Sequence, residues 1–286
     1  MRKTWILFGS FLIVVIGIGW VFSQIYGNSS ILIFAVAFST ITSVISYWHS
    51  DKIVLAMHQA KPVTMQNAPE LYRIVENLAI TAGLPTPRIY IVPEKAPNAF
   101  TTGRNPEHSV VAVTEGLLEK LDRSELEGVL AHEMSHIGNR DMLVSTVAVV
   151  LAGFISLLSD MFLRSMRFGG GRRDSDRAGG AIVLIGFALA ILAPISVSLI
   201  QLAISRKREF LADSSGALLT RYPDGLASAL QKIASDPTPL RTANNTTAHL
   251  WLEDPYKEKK GMWLHKLFMT HPSTEERIKA LRGMKV

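Results

Sequence analysis

Apolar positions in this chain come either in unbroken runs or interleaved with polar residues, and each kind predicts its own elements. From Trp5 to His49 there is no Asp, Glu, Lys or Arg. Gln24, Tyr26, Asn28, Ser29 and Ser30 divide that run into two stretches, each near the ~18–20 residues a helix needs to cross hydrocarbon. Two further runs follow, Met142 to Ser159 and Ala178 to Ser205, the last with a Pro194 that kinks a membrane helix without breaking it. The runs amount to four candidate membrane helices. Between them, Ala68–Ala82 repeats with helical period through Leu71, Ile74, Leu78 and Ile80, and stops at Gly83 and Pro85. Arg88–Val92 alternates and is rich in β-favouring residues, so it reads as a strand. Ala99–Thr102 and Ser109–Val113 read as two more, joined by a polar turn through Gly103–His108. A helix after them has Leu126, Leu130, Met134 and Ile137 as its core stripe and an S-x-x-E capping box, Ser124 with Glu127, at its start. From Arg140 it is expected to run on into the third apolar segment. The fold class expected is α+β, predominantly α, with a small β-sheet.

This pattern divides the chain into an N-terminal membrane hairpin (1–50), a first polar block (51–141), a second membrane pair (142–205) and a second polar block (206–286). Arg2 and Lys3 favour a cytoplasmic N-terminus. If all four segments cross, both polar blocks face the cytoplasm. The Met161–Gly180 loop opposes this, because Arg164, Arg167, Arg172, Arg173 and Arg177 outnumber Asp174 and Asp176. Either segments three and four penetrate without crossing, or their hydrophobicity overrides the charge bias. A cleavable signal peptide is disfavoured, since no small-x-small site follows the first run and a second apolar run comes at once.

Composition narrows the chemistry. The chain has 286 residues, 48% of them apolar, with a mean hydropathy of +0.22 and no cysteine. Disulfides, thiolate metal sites and a cysteine nucleophile are thereby excluded, and any metal ligand is His, Asp or Glu. The net charge of +6 has no accompanying basic-aromatic stripe, so it reads as membrane-flanking charge and not as a nucleic-acid surface. The lipid bilayer is the expected partner, and nucleic acid is not.

His132-Glu133-Met134-Ser135-His136 is an H-E-x-x-H pentad. Positions four apart lie on one helix face, so both imidazoles can converge on one zinc, with Glu133 in reach of an attacking water. A catalytic zinc needs a third protein ligand. In Arg208-Glu209-Phe210-Leu211-Ala212-Asp213 the two acids stand i, i+4 directly after the fourth apolar run. Glu209 is the candidate ligand, and Asp213 the candidate partner for the outer nitrogen of a ligand imidazole. The alternative is that both acids balance Arg206, Lys207 and Arg208 at a membrane boundary. His49, His58, His108, His249 and His265 lack metal-binding spacing. Trp251, Trp263 and Phe268 suit a core or a membrane interface better than a cofactor site.

The set of His132–His136 with Glu209–Asp213 resembles the gluzincins, and the membrane layout narrows the resemblance to the HtpX-type peptidases, relatives of the CAAX prenyl endopeptidases. It extends along nearly the whole chain through Pro97-Asn98-Ala99-Phe100-Thr101, Arg140-Asp141, His271-Pro272 and Arg277-Ile278. The resemblance implies a zincin-like catalytic domain in a four-helix, multi-pass plasma-membrane protein. It further implies one Zn2+ per chain, a cytoplasmic active site, and unfolded membrane proteins or peptides as substrates in stress-related quality control. Under it Glu133 is the general base and His271 a transition-state donor, although Pro272 also allows His271 to be a helix-start or surface residue. Arg277 would lie behind a ligand, and Asn98 would bind substrate backbone or be a plain turn residue after Pro97. Three other readings are an inactive scaffold with a structural metal, an intramembrane protease and a prenyl-protein peptidase. Intact Glu133 opposes the first, the polar Arg123–Arg140 helix the second, and the short chain the third.

Overall fold

The computed structural model describes residues 2–168, 206–241, 247, 250–253 and 272–284. The chain forms two compact units, Met1–Trp48 with Val147–Ala203 and His49–Thr146 with Ile204–Val286. In the first, α1 (Arg2–Tyr26) and α2 (Ser29–Met57) are joined at Gly27, whose φ of 61° is a conformation glycine adopts without strain. Asn28 accepts the Ser30 N–H at 2.9 Å and starts α2. Gly19 lets the helices approach closely, since an added Cβ would run into that of Ala35. Trp5, Ile13, Ile33 and Phe34 stay well exposed, as side chains facing lipid would.

Among the described residues two helices are long and apolar enough to cross a membrane, or three if a bent pair counts as one span. The expectation of four is met only that far. Met142–Ser159 lies inside α6 (Met142–Phe168), and Ala178–Ser205 falls outside the described residues, as does the glycine-rich part of the loop before it.

The second unit is built around one helix, α5 (Arg123–Gly138). Before it come β1 (Lys61–Pro62), α3 (Pro69–Ala82), β2 (Arg88–Val92), β3 (Ala99–Gly103), β4 (Ser109–Thr114) and the short α4 (Glu115–Lys120). The sheet order is β1-β2-β4-β3. β2 and β4 pair in parallel with Arg88 opposite Val110, while β3 runs antiparallel to β4 with Ala99 opposite Val113. β1, two residues long and ending in Pro62, is too short to leave a periodic signal and adds an antiparallel edge to β2. α7 (Arg206–Thr220), α8 (Pro223–Ser235) and α9 (Thr274–Arg282) complete the described helices.

Three local expectations change. In α3 the buried stripe is Leu71, Ile74, Val75, Leu78 and Ala79, and Ile80 points outward, being off the i, i+3, i+4, i+7 face. The capping box of α5 is Asp122 with Glu125, two residues ahead of Ser124 with Glu127. Glu125 takes that place because its carboxylate, besides accepting the Asp122 N–H, binds Lys232 at 2.6 Å and Ser228 at 2.7 Å. Finally, α5 does not continue into α6. It stops at Gly138, and Arg140 takes a left-handed φ of 56°.

α5 packs against α3, α7, α8, β3 and β4. Leu126, Leu130, Met134 and Ile137 are buried, but so are Val129, His132 and Glu133, so the helix has no solvent face over its middle turns. That burial makes its polar side chains informative: charges on a core helix are costly unless paired or bound to metal.

Candidate metal centre

The pentad places its two rings edge to face, with Nε2 of His132 and Nε2 of His136 3.2 Å apart. Glu209, in the first turn of α7, lies opposite: one oxygen is 3.8 Å from His132 Nε2, the other 3.7 Å from His136 Nε2. The three residues offer ligand atoms all within 4.8 Å of one another. Tetrahedral zinc with bonds of 2.0–2.1 Å would separate its ligand atoms by about 3.3–3.4 Å. The two imidazole nitrogens lie close to that spacing, and each has its own Glu209 oxygen within about half an ångström of it, so the donor set is compatible with such an ion.

Tight helix packing brings Glu209 there. A Cβ on Gly216 of α7 would lie 2.8 Å from the His132 backbone nitrogen, and one on Gly128 would lie 2.6 Å from that of Leu226 on α8. Glycine costs about 1 kcal/mol inside a helix. At both positions a side chain would force neighbouring backbones apart. Glycine in a helical stretch is itself a sign of close approach, so both positions leave a signal in the sequence.

Behind His132, Asp213 Oδ1 stands 2.9 Å from Nδ1. Asp213 is the nearest acceptor to that nitrogen, so the proton resides on Nδ1 and Nε2 carries the lone pair. Arg277 grips the same carboxylate twice, Nε to Oδ2 at 2.9 Å and Nη2 to Oδ1 at 2.7 Å. Burial would raise the Asp213 carboxyl, but Arg277 and then His132 hold it down at about 2. Arg277, itself wholly buried, is pushed above its ordinary range against burial by Asp213, Glu209 and Glu253.

His136 has a looser counterpart that was not foreseen. Asp141 Oδ2 faces its Nδ1 at 3.6 Å, and Arg208 Nη1 donates to Asp141 Oδ1 at 2.7 Å. The end of α5 aims Asp141. Arg140 N–H donates to Ile137 O at 3.1 Å and Asp141 N–H to His136 O at 3.0 Å, the bond pair of a Schellman stop. A left-handed conformation costs a non-glycine residue roughly 1 kcal/mol or more. Burial would lower His136, but Asp141, Glu209 and Glu133 outweigh it and raise it to about 9. The pocket therefore favours positive charge at that ring, as a cation site must.

The structure thus gathers His132, His136, Glu209, Asp213 and Arg277. Glu133 is buried on α5, near enough for its charge to act on His136. His271 lies outside the described residues, as do His249, His265, Trp263 and Phe268. Pro272 precedes the Ser273 N-cap of α9, so it is not the first helical residue. Asn98 leads into β3 and is engaged by the chain itself: Nδ2 donates to Glu253 O at 3.0 Å, and Glu253 N–H reaches Oδ1 at 3.3 Å. Leu252 N–H donates to Ala99 O at 3.0 Å, so the outer edge of β3 is partly occupied and buried. Arg277 Nη1 donates to Leu252 O at 3.1 Å, linking this segment to the His132 side of the centre. Trp251 covers the core against Phe100 and His58.

Residues 65–285 match the model of peptidase family M48. The chain belongs to that family. It is 49% identical to a "Protease HtpX homolog" of Syntrophobacter fumaroxidans over 93% of each chain, and 51% identical to one of Pyrococcus furiosus over 93% of this chain and 90% of that one. Among solved structures it is similar to S. mikatae Ste24p, with a TM-score of 0.51 at 19% identity, covering 98% of this chain and 67% of that one; this likeness concerns the fold. The protein is a membrane metallopeptidase of the HtpX type, and the His132, His136 and Glu209 cluster lies within the family match.

Proposed function

We propose that the peptidase hydrolyses internal peptide bonds of unfolded or damaged membrane proteins, with Zn2+ held by His132, His136 and Glu209. The mutual spacing of those three side chains carries the reading. Zinc in that position supplies a Lewis acid that polarises a carbonyl and brings the pKa of water to about 7. Glu133 takes the proton of the attacking water and delivers it to the leaving amine, acting first as base and then as acid. Asp213 keeps the His132 proton on Nδ1 and the ring in line, and Arg277 keeps Asp213 ionised. His271 donates to the developing oxyanion, a role whose loss typically lowers rate about 10²–10³-fold.

The active side faces the cytoplasm, with Arg2 and Lys3 holding the N-terminus there. The chain has no cysteine, so single-cysteine labelling from either side of the membrane tests the orientation without background.

Glu133→Gln is the central test. In detergent-purified protein it should retain zinc and lose cleavage of an unfolded casein-type substrate; wild-type turnover in that variant would remove Glu133 from its role. Under the same conditions His271→Ala should lose rate at unchanged zinc content, and a prenylated peptide should be a poor competitor. Strong, selective cleavage of the prenylated peptide would favour the prenyl-protein reading instead.

A further inference from the structure

We infer that Asp141, held by Arg208, is a positioning residue for His136, so that each metal-binding imidazole of α5 has its own carboxylate–arginine pair. The inference rests on the zinc reading above. Asp141 Oδ1 accepts from Arg208 Nη1 at 2.7 Å, whereas Oδ2 is buried, has no hydrogen-bond partner among the described residues and points at His136 Nδ1 from 3.6 Å. A surface ion pair would leave its second oxygen to solvent. Here that oxygen is turned inward, about 0.7 Å beyond the length of an ordinary N–H···O bond. With Asp141 as the acceptor before Nδ1, the His136 proton belongs on Nδ1. Nε2 is then free to present its lone pair where His132 Nε2 and Glu209 Oε1 converge, 3.2 and 3.7 Å away.

Two independent features aim the carboxylate. The Schellman stop folds Asp141 back over the last turn, its N–H bonded to the carbonyl of His136 itself. It does so at a non-glycine left-handed residue, Arg140, whose own side chain is exposed. From the other side, Arg208 stands one residue before Glu209, so the first turn of α7 delivers a metal ligand and the clamp for another ligand's carboxylate together. The pair therefore ties the C-terminal end of α5 to the N-terminal end of α7, and both must be in register for the three ligands to meet.

The test measures zinc affinity of the full-length protein in detergent by competition with a chromophoric chelator. Asp141→Asn should weaken zinc by about 10–100-fold, the usual effect of losing an outer partner of a ligand imidazole. Arg208→Gln, which leaves Asp141 in place but unclamped, should weaken it less. Arg140→Gly, which keeps the turn and relieves its backbone, should leave affinity within about twofold and the melting temperature unchanged or higher. Asp122→Ala, which removes the cap at the far end of α5, serves as the reference: it should lower the melting temperature without moving zinc affinity. If Asp141→Asn proves unstable, Arg208→Gln and the cobalt-substituted spectrum of Asp141→Glu decide the matter. Zinc affinity unchanged in Asp141→Asn and Arg208→Gln, or an equal loss of affinity in Asp122→Ala at the same drop in melting temperature, overturns the inference. Wild-type protein that binds no zinc overturns the metal reading instead.

Discussion

His132 and His136 are chemically identical and one turn apart, yet the fold holds them in different ways. His132 sits in the middle of α5, 1% exposed at its side chain, against a carboxylate at 2.9 Å that a buried arginine grips with two bonds. His136 occupies the last turn, 15% exposed, and its carboxylate stands at 3.6 Å under a single bond from Arg208. The first arrangement is continuous with the hydrophobic core, since Arg277 also bonds the Leu252 carbonyl beside β3. The second is made by a helix stop and the start of another helix. One imidazole is placed by the core and the other by a turn, so disturbing them should have unequal consequences.

The largest difference is expected from Arg277→Ala. It leaves Asp213 ionised and buried without its partner, a change that typically costs about 3–5 kcal/mol. The variant should melt far below wild type and lose metal together with stability, and an unchanged melting temperature would show that the His132 side is not held from the core. Gly216→Ala comes next. The new methyl would meet the His132 backbone at 2.8–3.0 Å, displacing α7 and Glu209 by tenths of an ångström at about 1–3 kcal/mol. Weaker metal binding with α-helical content preserved is the expected result, and full metal affinity would mean that α7 has room to give. The smallest effect concerns pH. In metal-stripped protein His136 has its pKa raised from 6.5 to about 9. Its contribution to stability is therefore complete below about pH 6.5 and is lost as pH rises through about 9. Melting temperature of the stripped protein should decline across that window. Zinc should flatten the decline by occupying the same nitrogen, and a flat profile without metal would contradict the raised pKa.

Much of the metal cluster was legible because helical spacing is local. A pentad at i, i+4 and an acid pair at i, i+4 each put two side chains on one face without reference to the rest of the chain. At the start of α5 Asp122-Arg-Ser-Glu125 and Ser124-Glu-Leu-Glu127 both fit the capping pattern, and only Lys232 and Ser228 on α8 select the first. Asp141 and Arg208 were both visible within motifs, yet nothing in their spacing says that they meet, since 67 positions separate them. Asn98 shows the same limit: its engagement by Glu253 spans 155 positions.

Composition and periodicity by themselves determined the two N-terminal membrane-length helices, strands β2, β3 and β4 and the candidate metal-binding side chains, because each depends on neighbours within a turn or two. Only the tertiary structure decided which carboxylate faces which imidazole, that the middle turns of α5 are buried on every side, and that the chain covers part of its own β3 edge. Those outcomes depend on which distant surfaces exclude water from one another, and such long-range packing leaves no period in the chain.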